Sequence, residues 1–254
     1  MRDQIAKAPV ANFDETGFRV ATKLHWVHSA STGKYSLITV HPKRGTAAMN
    51  AAGVLPTFTG IAVHDAWAPY DTYTRAGHAL CGAHVLRELT AAVDVAPAGA
   101  YCWARQAHDA LGELKKLVDD AVEAGRGGVD PAVLAEQTHL LRCAANIGVT
   151  ENRHRGTELA KKHHALARRL LDRQADYPRF TVDFRVSFDN NAAEREIRMI
   201  KVRQKVSGCL RTPKSAEAFC AIRSYLPTAA KHGIGFLESL TMLTEPRPWL
   251  PAVT

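Results

Sequence analysis

The character of the chain changes near residue 83, and this change limits the folds open to it. Before that point the apolar runs are short and partly β-branched. After it they are long and recur at helical spacing. Pro9–Asp14 is a short, mostly apolar run, and Arg19–Val27 alternates as a half-buried strand does. Ser31–Lys34 reads as a turn, because Gly33 tolerates positive φ, and Tyr35–Val40 as a third strand. Together they predict a three-stranded antiparallel meander. Gly45–Ala52 is helix-compatible. Gly60–Asp65 is a short apolar run ending in polar residues, the pattern of a central strand buried on both faces. Gly77–Cys81 would add an edge-like fifth strand.

From His84 onward, helices are expected over His84–Val93, Trp103–Ala124, Pro131–Asn146, Arg155–Gln174, 190–204 and 214–231. Asp130 is a candidate N-cap before Pro131. Leu159, His163, Leu166 and Leu170 share one helix face by spacing, and Gly125–Gly128 is a linker. The expected class is α/β, a mixed sheet with flanking helices. Its divisions are a first core part over 8–94, a mostly helical insertion over 95–178 and closing helices over 179–245.

At 254 residues the chain can bury a genuine core, and 46 % hydrophobic with 23 % charged residues excludes global disorder. No apolar run approaches the roughly 18 residues of a membrane span. The first ten residues lack the apolar core of a signal peptide, so a cytoplasmic location is expected. Five cysteines at 81, 102, 143, 209 and 220 form an odd, scattered set that reads as reduced thiols. The net charge of +8 is concentrated. Residues 151–214 hold 16 Lys+Arg and 8 Asp+Glu, and the rest of the chain is balanced. Such a segment suits a polyanionic partner, although a solvated helix face would look the same.

Three acidic residues stand out by context. Asp14 ends the first predicted strand, Asp65 ends the buried one, and Glu194 lies near a helix start in Asp189-Asn190-Asn191-Ala192-Ala193-Glu194-Arg195. Ligands of open sheets gather at strand ends, and converging carboxylates need a cation to offset their repulsion. Mg²⁺ or Mn²⁺, which prefer oxygen ligands, fit such a set. Singly, each acid would read as a turn, cap or dipole-compensating residue.

These residues occur in an ordered series of motifs. Asp14-Glu15-Thr16 is followed by His64-Asp65-Ala66-Trp67 with Tyr70, by Cys81-Gly82-Ala83-His84-Val85-Leu86-Arg87, and by the Asp189–Arg195 run continuing to Arg198 and Arg203-Gln204-Lys205. In order and spacing the sequence resembles the transposases of the IS66 insertion-sequence family, from about Ala11 to Leu243. The resemblance implies a DDE-type catalytic core on an RNase H-like fold, with a helical insertion before the last acid. The gaps suit that layout, 51 positions from Asp14 to Asp65 and 129 from Asp65 to Glu194. Carried over by position, the triad is Asp14, Asp65 and Glu194.

The implied chemistry is phosphoryl transfer with two Mg²⁺ or Mn²⁺ ions about 4 Å apart, cleaving a DNA strand and then joining its 3′ end to target DNA. The implied partners are transposon ends and target DNA. A homo-oligomer assembled on DNA, accessory transposition proteins and association with a bacterial nucleoid are further expectations. Members of this family normally carry a sizeable N-terminal region, expected to recognise DNA ends. This chain begins 13 residues before Asp14, so it reads as a catalytic core lacking that region. The rival readings are a non-catalytic DNA-binding remnant and an RNase H-like nuclease that cuts without joining.

The remaining candidates have two readings each. Glu15 would point away from Asp14 if the strand continues, and otherwise serves as a solvated or turn carboxylate. His64 either reaches a phosphate or is structural. Trp67 and Tyr70 either stack on a flipped base or pack beneath the site. Cys81-x-x-His84 is half of a zinc spacing, but no second pair follows at finger distance. Asn190 and Asn191 suit a helix N-cap. Glu194, Arg198 and Lys201 share a helix face, with Arg195, Arg203 and Lys205 extending a basic strip. Lys161, Lys162, Arg168 and Arg169 form a second strip. Either could bind phosphates.

Overall fold

A computed structural model describes residues 1–97, 99–246 and 248–252. The chain forms two compact units, Met1–His78 with Asn190–Thr254, and Ala79–Asp189. Nine α-helices and one five-stranded mixed sheet occur among the described residues.

The first unit carries β1 (Val10–Val20), β2 (Lys23–Ser31), β3 (Ser36–His41) and β4 (Ile61–His64). The sheet order is β3-β2-β1-β4-β5, and the unit boundary falls inside β5 (Gly77–Leu80). β1 and β2 are antiparallel, as are β2 and β3, whereas β4 runs parallel to β1. The helices of this unit are α1 (Arg2–Ala6), α2 (Thr46–Ala52), α7 (Asn191–Ser207), α8 (Pro213–Lys231) and α9 (Phe236–Leu243).

Strand pleating divides the core. Ala11 and Phe13 of β1 join Ile5, Met49, Phe58, Ala62 and Tyr70 in one buried cluster, where Phe13 and Phe58 meet edge to face at 5.6 Å. Phe18 and Val20, of opposite parity, join Val27, Ile38, Ile200, Leu210 and Cys220 in a second cluster. α7 belongs to the second face and is tied to β1 at both ends. Asn190 donates through Nδ2 to the Phe13 carbonyl at 2.7 Å and accepts from Asn12 Nδ2 at 3.0 Å. Beyond the helix, Leu210 bridges Val20, and the Ala21 amide donates to the Leu210 carbonyl at 2.7 Å. Midway, buried Glu196 accepts from Ser31 Oγ at 3.0 Å and from Lys231 Nζ at 2.9 Å.

The outer edge of the sheet is covered. The amides of Ser36 and Ile38 on edge strand β3 donate to Thr228 Oγ1 at 3.0 Å and to Ser224 Oγ at 2.8 Å. The spacings match, since four helical residues rise about 6 Å and two strand residues about 6.6 Å.

The second unit carries α3 (Gly82–Asp94), α4 (Trp103–Glu123), α5 (Pro131–Asn152) and α6 (Glu158–Asp172). Successive helices pack on one another. Small residues line the contacts, among them Ala104, Ala107, Ala144, Ala145 and Ala167. At Gly148 a Cβ would fall 2.5 Å from the Trp103 ring, so only glycine fits there. Asp130 caps α5 by accepting from the Ala132 and Val133 amides, as its sequence context indicates.

Several expectations need correction. Asp14 does not end a strand, because β1 runs on to Val20 and pairs with β2 along nine registered positions. Gly17 lies within this longer strand, with Trp26 and Leu24 packed over it from β2. The strand expected over Arg19–Val27 instead turns back at Ala21 and Thr22, whose φ values are +47° and +67°. α6 begins at Glu158 behind a Thr157 cap, and Leu159 is 48 % exposed, the buried face being Ala160, Leu166, Ala167 and Leu170. Cys81 is the N-cap of α3 rather than the end of β5.

The two-residue hairpin turn places a β-branched threonine in the left-handed region, where glycine is preferred. Thr22→Gly is expected to stabilise the protein by about 1 kcal/mol, read as a higher urea midpoint at unchanged slope.

Candidate active site

β1 presents two consecutive carboxylates to opposite faces of the sheet. Asp14 lies on the parity of Phe18 and Val20, the face on which α7 packs. Parallel β4 registers Val63 beside Asn12, and the same count sets Asp65 level with Asp14. α7 begins at Asn191, so Glu194 lies in its first turn, where its N–H donates to the Asn190 carbonyl at 3.1 Å. Asn190 is itself anchored on the Phe13 carbonyl next to Asp14. Its side chain makes no helix cap, which corrects the capping role expected from the sequence.

Asp14 is half-buried, and among the described residues its carboxylate accepts one hydrogen bond, from the Glu15 amide at 2.9 Å, and forms no ion pair. Burial pushes its pKa up from 3.8 to about 7. The negative charges of Glu15, Asp65 and Glu194 push in the same direction, and only the Glu15 amide opposes them. A divalent cation among Asp14, Asp65 and Glu194 would offset that repulsion, and an all-carboxylate donor set suits a hard cation. The residues present therefore fit Mg²⁺ or Mn²⁺.

The turn after β4 is tightly built. Ala66 has φ +67°, unusual for a residue with a Cβ. Its amide donates to His64 Nδ1 at 3.2 Å, and the Trp67 amide donates to Asp65 Oδ1 at 3.1 Å. His64 is fully buried, stacks on Tyr70 at 4.3 Å and meets His78 nitrogen to nitrogen at 3.0 Å. These contacts account for His64 as a structural residue. Tyr70 is buried and packs in the core, and half-buried Trp67 packs against it.

Glu15 is not a solvated carboxylate. Its side chain is 1 % exposed and accepts from Arg44 Nη2 at 2.8 Å and from the Tyr70 hydroxyl at 2.7 Å. Burial raises its pKa, while Tyr70 and Arg44 pull it down. Tyr70 is pushed well above 10 by burial and by the Glu15 charge, so it stays a donor. Arg44 was not singled out by the sequence. It lies in an ordinary loop, Pro42-Lys43-Arg44-Gly45, and its partners are distant along the chain.

The basic candidates divide. On α7, Arg195, Arg198, Lys201 and Lys205 are exposed and form no ion pair among the described residues. Arg203 is half-buried, donates to the Gly208 carbonyl at 3.1 Å and lies over Phe219. In the second unit, Lys161 pairs with Glu158 and Arg168 with Asp172, while Lys162 is exposed. Arg169 is held by Glu88 and Tyr177, each at 2.8 Å, a packing role within that unit. The charge follows this division, with 7 Lys+Arg against 2 acids over 190–214 and 9 against 6 over 151–189. Cys81 is buried at the start of α3, and His84 lies in its first turn. Asn191 opens α7 and is exposed.

The raised Asp14 pKa has a stability consequence. A carboxyl that holds its proton more tightly when folded stabilises fully below about pH 4, and this contribution is lost as pH rises through about 7. In chelator, Asp14→Asn is expected to exceed wild type in stability at pH 8 by roughly 2–4 kcal/mol and to match it near pH 4, read by denaturant titration at both pH values.

No helix among the described residues is long and apolar enough to cross a membrane. A family model described as "Transposase IS66 family" matches residues 1–218 of the 254. No curated protein and no solved structure matches the chain. With the family match extending from α1 through α7 and into α8, the chain belongs to the IS66 family of transposases.

Proposed function

We propose that the chain is the DDE catalytic core of a DNA transposase, with Asp14, Asp65 and Glu194 as its metal-holding carboxylates. The observation that carries this reading is geometric: the register of parallel β4 sets Asp65 level with Asp14, and Asn190 anchors the start of α7, with Glu194 in its first turn, on the Phe13 carbonyl beside Asp14. Burial and the charges of Glu15, Asp65 and Glu194 raise the proton affinity of Asp14, although Asp65 and Glu194 lie far from it in sequence. The mixed sheet, a three-strand antiparallel meander with β4 parallel to β1, supports the RNase H-like assignment. The division of the core by a helical segment supports an insertion before the last acid.

When bound, two Mg²⁺ or Mn²⁺ ions would activate the attacking oxygen and stabilise the leaving oxygen of an in-line phosphoryl transfer. The protein supplies the rest. Asp14 lies within β1 and Glu194 in the first turn of α7, while Asp65 stands in the hydrogen-bonded turn directly after β4. Asn190 fixes the α7 start against β1 beside Asp14. Arg195, Arg198, Lys201 and Lys205 present cations on α7, the helix that carries Glu194, and would neutralise DNA phosphates there. Transposon ends and target DNA are the proposed substrates, and a homo-oligomer on paired ends is the proposed working form.

In a Mn²⁺-supplemented assay on an end-labelled duplex, Asp65→Asn is expected to reduce strand cleavage to background while the circular dichroism spectrum is retained. Wild-type cleavage by that variant would sink the triad. Joined products identify a transposase, free ends alone a nuclease, and metal-independent binding without cleavage a DNA-binding remnant. For α7, Arg198→Ala is expected to weaken DNA binding across sequences and to lower the slope of log affinity against log salt by about 0.9. An unchanged slope would remove Arg198 from the phosphate contacts.

A further inference from the structure

We infer that Glu15, Arg44 and Tyr70 form a positioning network for Asp65, fixing its turn against the strand that carries Asp14. This inference rests on the metal-holding reading of Asp14, Asp65 and Glu194.

Asp65 stands one residue beyond β4, so its position depends on the turn that follows. That turn is tied internally by the Ala66 amide to His64 and by the Trp67 amide to the Asp65 carboxylate itself. The Tyr70 amide then donates to the Trp67 carbonyl at 3.1 Å, at the start of the short helical turn Ala68–Thr72. The segment docks on β1 by packing Tyr70 near Phe13, at 6.4 Å between ring centres, and by polar contacts to one side chain, Glu15. Tyr70 donates to one carboxylate oxygen at 2.7 Å. Arg44 donates to the other through Nε at 3.2 Å and Nη2 at 2.8 Å. The Arg44 guanidinium also lies 3.9 Å from the centre of the Trp67 ring and 4.8 Å from that of Trp26 on β2. Glu15 is thereby held by Tyr70 and, through Arg44, by Trp67, both from the segment that follows Asp65. It is the chain neighbour of Asp14.

A continuous path thus runs from Asp14 through Glu15 to Tyr70 and Trp67, and back to Asp65. It lies on the face of the sheet opposite α7 and does not involve Glu194. Stability alone is a poor reason for such a pair, because a buried ion pair can often be replaced by apolar residues at no loss. Its value lies in geometry, since two guanidinium donors on one oxygen and a phenol on the other fix the Glu15 carboxylate in direction as well as distance. Residues that orient ligands in this way commonly change metal affinity about 10–100-fold when altered.

The test is Mn²⁺ binding to the full chain, read by the electron paramagnetic resonance signal of free Mn²⁺, together with melting temperature. Tyr70→Phe removes one hydroxyl and keeps the ring. It is expected to weaken Mn²⁺ binding by about tenfold. Ser224→Ala, which removes a hydroxyl at the β3 edge, is expected to lower the melting temperature and leave Mn²⁺ affinity unchanged. If Tyr70→Phe does not fold, Arg44→Lys decides the question in the same way, since it keeps the charge and loses the two-pronged geometry. Wild-type Mn²⁺ affinity in the deciding variant overturns the positioning role. A wild-type chain that binds no Mn²⁺, or an Asp65→Asn chain that binds it normally, overturns the metal-holding reading and this inference with it.

Discussion

Two adjacent carboxylates on a pleated strand cannot share one counter-charge, and the first unit is organised around that constraint. The pleat sends Asp14 and Glu15 to opposite faces. Glu15 is satisfied within the protein by Arg44 and Tyr70. Asp14 has a single backbone amide and two further acids facing it. One face is therefore electrostatically closed, while the other is left in deficit. The deficit is destabilising in the protein alone and becomes useful only where something positive is brought to it.

The deficit is maintained because β1 is the axis on which the other parts are hung. It pairs with β2 on one side and β4 on the other, and α7 is pinned along it through Asn190 and Leu210. Glu196 adds a third attachment by joining α7 to Ser31 of β2 and Lys231 of α8. Acids that would repel one another freely are thus carried by elements with little room to yield. Ala66, held at positive φ beside Asp65, is another expense accepted in the same place.

Much of this could be read from the residues. The meander, the buried fourth strand and the helical segment follow from apolar period and turn chemistry, and the three acids stand out by position and motif. The first strand could not be read correctly. Val20-Ala21-Thr22-Lys23 contains none of the usual turn residues, so the hairpin passed for continuous strand. Asn190 was legible as a polar residue before a helix, but not as a clasp on the Phe13 carbonyl, which requires knowing where the Asn12–Val63 ladder stops. Glu15 and Arg44 are 29 positions apart, and no local pattern announces their pairing. Leu159 fell on an apolar spacing yet faces solvent, because the close helix contacts are made by Ala160 and Ala167.

The hydroxyls of Ser224 and Thr228 act on the sheet in a way that concerns more than its own stability. By taking the outward amides of Ser36 and Ile38, they remove the template on which a foreign strand would grow. A sheet with an open edge strand risks joining other chains edge to edge and without limit. Here that route is blocked at β3 by two small side chains one helical turn apart. An open edge accepts any extended peptide, whereas side-chain surfaces discriminate between partners.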